Sequence, residues 1–421
     1  MQRMELLPGM YLTSVQTDRF KSACLSISLL RPLCREEAAQ NALLASVLIQ
    51  GTALHPTMQD LSLALDNLYG ASLGPLVRKN GQVQTCGLYA GFLEDRFALP
   101  GDRILAPMVE LLTEVLLQPR LVDGSFCPDI VAREQENLIS TIESTLNDKR
   151  AYADAQMLKA MCRDDAFAVP RLGEPEDVRA ITPQSLSAHY RHILAHSQIE
   201  IFYAGSATAA EVSALLRRSL AGLPREHCAT YPIAPLPRRE EVQQREETMA
   251  VTQGKLAMGF TTGITTKDPD YPALMALSAI YGGDLTSKLF QNVRERLSLC
   301  YYASSTVFGA KGILAVSTGI ETGNYHRAKE EILRQLTCCQ QGQITPQELS
   351  DAQKALCSSL DTISDSPGRM EDYTMFCLLS GFPLEPEAYK RAVLSLTVED
   401  ISRVARSVRL DTIFFLKGES A

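Results

Sequence analysis

Several signatures that would declare a chemistry are missing from this 421-residue chain. No P-loop, no GxGxxG after a strand-like run and no GxSxG occurs, so nucleotide binding and the usual hydrolase nucleophile have no support. There is no CxxC, and the eleven cysteines are scattered from Cys24 to Cys377 through apolar segments, Cys228 among them. An odd number of dispersed thiols reads as small core residues in a reducing compartment, and the cytoplasm is the expected location. The vicinal pair Cys338-Cys339, just before Gln-Gln-Gly, reads as the end of a helix. Positive charge is not in excess either, with 41 Lys and Arg against 49 Asp and Glu and a pI near 5.4. Nucleic acid is excluded as a partner on that ground, because phosphates demand clustered cations. No apolar run approaches the roughly 18 residues of a membrane helix. Residues 1–12 lack a charged lead and apolar core, so no signal peptide is expected.

What is present is a duplicated chain with 45% hydrophobic content, enough to bury a large core. Three phrases recur in order. An apolar helix ends in a small-residue turn at Leu43 to Thr52 and again at Leu274 to Gly283. A capped amphipathic helix begins near Phe126 and near Ile344. A helix cap coupled to a final strand starts at Ile181 and at Leu396. The expected organisation is therefore a first domain over 1–222, a proline- and charge-rich linker over 223–247, and a second domain over 248–421. Strands are expected at Met10 to Gln16 and Ser22 to Leu30, with a hairpin about Asn80-Gly81. Helices should follow over Ile104 to Leu117, Pro128 to Thr145 and Ala151 to Cys162. Lys255 to Gly263, Tyr302 to Phe308 and Gly312 to Gly319 are the strands of the second half. Hairpins followed by helices imply an α+β fold with antiparallel sheets.

The most informative stretch is YGGDLTSKLFQNVRERLSLCYYASS, Tyr281 to Ser305. Gly282-Gly283 makes a tight turn, and Leu285, Leu289, Phe290 and Val293 recur at helical spacing. Arg294 falls at the helix end and Tyr301 at the start of a strand. The segment resembles the C-terminal half of the M16 metallopeptidases, the pitrilysin and mitochondrial processing peptidase family, whose wording is close to LF-x-x-VRE-x-x-GLAYS. In two-subunit members the Arg and Tyr of this segment reach into the partner's zinc site, a role the resemblance carries to Arg294 and Tyr301. It also implies two homologous LuxS/MPP-like α+β domains closing as a clamshell.

Such peptidases carry HxxEH on a helix of the first half, where two imidazoles bind Zn²⁺ and the carboxylate activates its water. The Gly51-Thr52 pair fixes the register here, and the motif positions read Ala42-Leu43-Leu44-Ala45-Ser46. Ala42 and Ser46 replace the histidines and Ala45 replaces the general base. Glu134 suits an acid that precedes the third ligand by seven residues, which puts Thr141 at the ligand position. The resemblance then implies a zinc-less, YmfF-like subunit with no metal of its own. It would act beside an HxxEH-bearing, YmfH-like M16 paralogue that holds the zinc, or as a homodimer, on a peptide substrate.

Other residues invite weaker readings. His189, His192 and His196 stand at i, i+3 and i+7, but His196 should lie past the helix end and no carboxylate completes a metal site. Glu134 and Glu136, with Arg133 beside them, read as a solvated, ion-paired face. The alternative function is a peptide-binding clamshell that hydrolyses nothing. An independent enzyme built on the histidines or cysteines ranks last.

Overall fold

The computed structural model describes residues 1–226, 233–382 and 385–418, so Cys228 and part of the linker stretch lie outside the described residues. Along the first half run β1 (Gln2–Leu7), β2 (Met10–Gln16), β3 (Ser22–Pro32), α1 (Arg35–Leu48), α2 (Met58–Asn67), β4 (Ser72–Asn80) and β5 (Val83–Leu93). There follow α3 (Leu105–Leu117), the short ribbon β6 (Leu121–Val122) and β7 (Ser125–Phe126), then α4 (Pro128–Ser144), α5 (Lys149–Met161), α6 (Pro175–Arg179), α7 (Pro183–His196), β8 (Gln198–Gly205) and α8 (Ala209–Leu220). The second half has β9 (Gln243–Met249), β10 (Gly254–Thr261), α9 (Tyr271–Ser278), β11 (Cys300–Phe308) and β12 (Ile313–Ile320). It ends with α10 (Tyr325–Gln340), α11 (Pro346–Asp361), α12 (Pro367–Ser380), α13 (Pro386–Leu394), α14 (Val398–Ala405) and β13 (Arg409–Gly418).

The fold is α+β, as expected, and its two main sheets repeat one order. The first runs β1-β2-β8-β3-β5-β4 and the second, read from its far edge, β9-β13-β10-β12-β11. Aligning the two pairs β2 with β9, β8 with β13 and β4 with β11, and leaves β1 as an extra edge. Each sheet is antiparallel except for one parallel pair, β2 with β8 and β9 with β13. Strand β9 includes Gln243 to Glu247, the tail of the expected linker, which is thus the first strand of the second sheet. Its sequence QQREETM is polar on both sides, so no apolar alternation betrays it. Three of the recurrent phrases open on capped helices: Thr182, Thr345 and Thr397 each accept a hydrogen bond from the backbone N–H three residues on, the local satisfaction that favours Thr at an N-cap.

Two compact units form, and their membership does not follow chain order. One comprises Met1–Glu143, Val169–Pro232 and Ser364–Met375; the other comprises Ser144–Ala168, Ile233–Ile363 and Phe376–Ala421. In the first, Leu25, Ile27 and Leu29 of β3 join the main apolar cluster, while Cys24 on the opposite face meets Phe202, Ala204 and Met370 of the late segment. In the second, Met157 and Met161 of α5 pack on Ala257, Ile313, Phe414 and Leu416. The central strands β3 and β10 are covered on both faces and are buried along nearly their whole length, the serines of β3 included. Lys311, 1% exposed, pairs with Asp165 at 2.7 Å and fixes the α5 segment in its unit. Among the described residues no helix is long and apolar enough to cross a membrane.

Candidate functional site

Helix α1 carries Ala42, Ala45 and Ser46, the positions at which the resemblance places a zinc motif. Ala42 and Ala45 are each 1% exposed. Ala42 belongs to the main apolar cluster of its unit, and Ala45 borders a small void with Leu44, Leu48, Leu116 and Tyr190. Ser46 is half-buried. Thr141 is exposed on α4, where its hydroxyl donates to the Asn137 carbonyl at 2.8 Å. Two methyls, one partly covered hydroxyl and one hydroxyl turned back on its own helix do not fit a zinc ion, which takes imidazole, thiolate or carboxylate. Among the described residues no group of three or more His, Cys, Asp or Glu side chains is placed to hold a metal.

Glu134 corrects one sequence expectation. Glu136 is solvated, but Glu134 is 7% exposed, because it shares the inward stripe of α4 with Val131 and Leu138. Such a carboxylate needs partners. Arg133 Nε donates to it at 3.2 Å, Asn137 Nδ2 at 3.2 Å, and Arg133 also reaches Gln50 Oε1 at 2.8 Å, at the foot of α1. The three histidines correct another. His196 is the last residue of α7 rather than beyond it, stacked on His192 at 4.3 Å and paired with Glu226 at 2.9 Å. His189 points elsewhere: its Nε2 lies 2.7 Å from Asn41 Oδ1, and the Asn41 amide donates to Gln84 at 2.8 Å.

Burial lowers the His189 pKa from 6.5 to about 4. Below pH 6.5 the unfolded chain takes up a proton that the folded one refuses. Stability is therefore full above 6.5 and declines toward pH 4, by about 3 kcal/mol across that window. Denaturant midpoints measured from pH 7 to 4 should show this slope, and His189→Gln should flatten it.

The segment holding Arg294 and Tyr301 departs from regular geometry three times in succession. Upstream, α9 runs into a π-helical turn over Ala279–Gly283. A Cβ on Gly282 would sit 2.7 Å from Ser305 N, so only glycine lets this turn cross β11 so closely. Leu285 is 66% exposed rather than part of the helical stripe, because Asp284 accepts bonds from Thr286 and holds a turn that delays the helix. Leu289 and Val293 are fully buried as expected. The first irregularity is the helix itself, which is π-helical over Phe290–Arg296, a widened geometry that recurs at functional sites. Arg294 lies on it with a side chain 41% exposed, its guanidinium 4.5 Å from the Phe290 ring centre and its Nε 3.5 Å from Glu295.

The second irregularity is Ser298, at φ 49°. Its N–H bonds to the Arg294 carbonyl at 3.0 Å, and the Leu299 N–H to Val293 O at 2.9 Å, ending the helix in a left-handed cap. Such a cap prefers glycine, and Ser298→Gly should stabilise the chain by about 0.5–1 kcal/mol in chemical denaturation. The third is a β-bulge at the head of β11. Cys300 pairs with Ile320 and Tyr302 with Gly319, leaving Tyr301 between them without a partner and 64% exposed. Bulges re-aim side chains, and this one turns a phenol out from an edge strand.

The model of the peptidase M16 inactive domain matches residues 180–356. The probable inactive metalloprotease YmfF of Bacillus subtilis is 31% identical over 413 residues, spanning 96% of this chain and 95% of that protein. The chain belongs to the M16 peptidase family. A conserved protein from Enterococcus faecalis V583 has the same structure at a TM-score of 0.94 and 29% identity, covering 100% of this chain and 99% of that one. The peptidase M16 inactive domain from Pseudomonas fluorescens shares the fold at a TM-score of 0.79 and 18% identity, covering 100% and 98%. This M16 chain is thus a metalloprotease homologue of the inactive kind. Ser298 takes the left-handed φ that glycine adopts without strain. Sequence reading missed Gln50 and the burial of Glu134; the i, i+3, i+7 stripe Val131, Glu134, Leu138 was the available signal.

Proposed function

We propose that this chain is the non-catalytic subunit of a two-subunit M16 peptidase, lending Arg294 and Tyr301 to peptide bound at the zinc site of an HxxEH-bearing partner in the cytoplasm. The observation that carries the reading is the run of irregular backbone from Phe290 to Tyr301, a π-helical turn, a left-handed cap and a bulge, which leaves a guanidinium and a phenol accessible. Backbone of this kind is costly and tends to persist where side chains must be aimed. The positions for metal donors, meanwhile, hold Ala42, Ala45, Ser46 and Thr141.

The planar Arg294 fork donates two parallel hydrogen bonds, and the Tyr301 hydroxyl donates one. Both suit a peptide carbonyl, and suit it better as the oxygen gains negative charge, which is the condition for lowering the barrier rather than only binding. In such a partner, zinc supplies the activated water and polarises the carbonyl. Among the described residues Cys24, Cys86, Cys300 and Cys339 are buried free thiols, in keeping with a reducing compartment.

Elemental analysis and a peptide-cleavage assay test this. The purified chain should hold no stoichiometric zinc and cleave no unfolded peptide; mixed with its HxxEH paralogue it should support cleavage. Bound zinc with chelator-sensitive cleavage by the chain alone would overturn the proposal. Peptide binding without cleavage in the mixture would replace it with a non-hydrolytic clamp.

A further inference from the structure

Resting on that reading of Tyr301, we propose that Arg150 is a positioning residue that braces the bulge and fixes the direction of the phenol. Arg150 is the second residue of α5, whose N-cap Asp148 accepts hydrogen bonds from the Arg150 and Ala151 N–H groups at 3.0 Å each. The first turn of the helix is thereby held, and the Arg150 side chain leaves it at a set angle. Its guanidinium lies 4.3 Å from the centre of the Tyr302 ring and its Nη2 donates to Ser304 Oγ at 2.6 Å. Tyr302 and Ser304 are the next two residues of β11 on one face, directly after the bulge. One side chain thus grips the strand at both positions that follow Tyr301.

The ring it grips is itself confined. Tyr302 lies so close to Gly319 that a Cβ there would sit 2.6 Å from a ring carbon, and Lys255 Nζ stands 5.7 Å from the ring centre. A ring pressed against backbone on one side and stacked with a guanidinium holds its rotamer, and β11, an edge strand with a neighbour on one side only, gains a second point of restraint. Without it the unpaired Tyr301 can swing with the loosened strand head. Arg150 is exposed and buries no charge, so its removal does not threaten the fold.

Hydrogen exchange on the full chain and turnover by the reconstituted pair together test the brace. In Arg150→Ala, amides 300–304 should exchange at least about tenfold faster while β10 and β12 keep their protection. Turnover should fall between about tenfold and 10²-fold with KM little changed, the effect expected of misplacement by about an ångström. In a Tyr301→Phe background the same substitution should add nothing, and Arg150→Lys, which lacks the planar fork, should not rescue. Unchanged exchange at 300–304 overturns the inference, as does an equal loss of turnover in the Tyr301→Phe background. If exchange rises while Tyr301→Phe alone turns over fully, the brace stands and the role of Tyr301 in a partner's site falls.

Discussion

Arg294→Ala lowers turnover by the assembled pair about 10²- to 10³-fold, the range for losing a donor aimed at a developing oxyanion, while the affinity between the subunits stays within about twofold. The two halves of this expectation come from the same geometry. Among the described residues Arg294 is held by stacking on Phe290 and a loose contact with Glu295, and 41% of its side chain is exposed. An arginine so lightly tied contributes little to the fold, so its removal should leave the chain intact. Arg294→Lys should not restore the rate, because an ammonium is a point charge without the planar pair of donors. The loss should appear in kcat as much as in kcat/KM, which marks an interaction made in the transition state and not in the bound substrate. Equal turnover by wild type and variant would remove Arg294 from the reaction.

The fold was legible wherever one strand or helix carries its own pattern. Met10 to Gln16 and Pro128 to Ser144 fall within a residue of their expected bounds because alternation and capping are local properties. The Lys79-Asn80-Gly81 hairpin also forms, closing through Gly81 and Gln82 between the paired Asn80 and Val83. What could not be read was set by partners distant in sequence. Strands β1 and β9 are edge strands whose identity depends on β2 and β13. Nothing in the apolar stripe of α5 says which sheet it covers, since any flat apolar face would serve. The backbone of the Arg294 to Tyr301 segment was not legible: a serine at a left-handed φ and an unpaired bulge residue leave no mark in a composition window. Glu134 was misjudged because its neighbour Arg133 suggested solvent, whereas the helix phase put the carboxylate inward.

The largest expected loss of stability lies at Glu371, away from the proposed chemistry. Its segment comes late in the chain yet belongs to the unit built mostly from the first half. Glu371 is 0% exposed there; Arg78 donates to both of its oxygens, at 2.9 and 2.6 Å, and Ser26 Oγ donates at 2.9 Å. Glu371→Ala leaves a guanidinium that is three-quarters covered with, among the described residues, Asp372 at 2.7 Å as its remaining carboxylate. Breaking a buried pair from one side costs about 3–5 kcal/mol, most of it the desolvation of the charge left behind. The neutral isostere Glu371→Gln keeps an acceptor for Arg78 and the bond from Ser26, and should cost roughly half as much. The same logic makes a stronger demand of the double variant Arg78→Met with Glu371→Leu. With both charges gone the apolar replacements can pack beside Met370, and the chain should regain at least about half of what Glu371→Ala loses. Urea midpoints at constant m-value decide the matter. A double variant as unstable as Glu371→Ala would mean that shape, and not charge, holds this segment against the sheet.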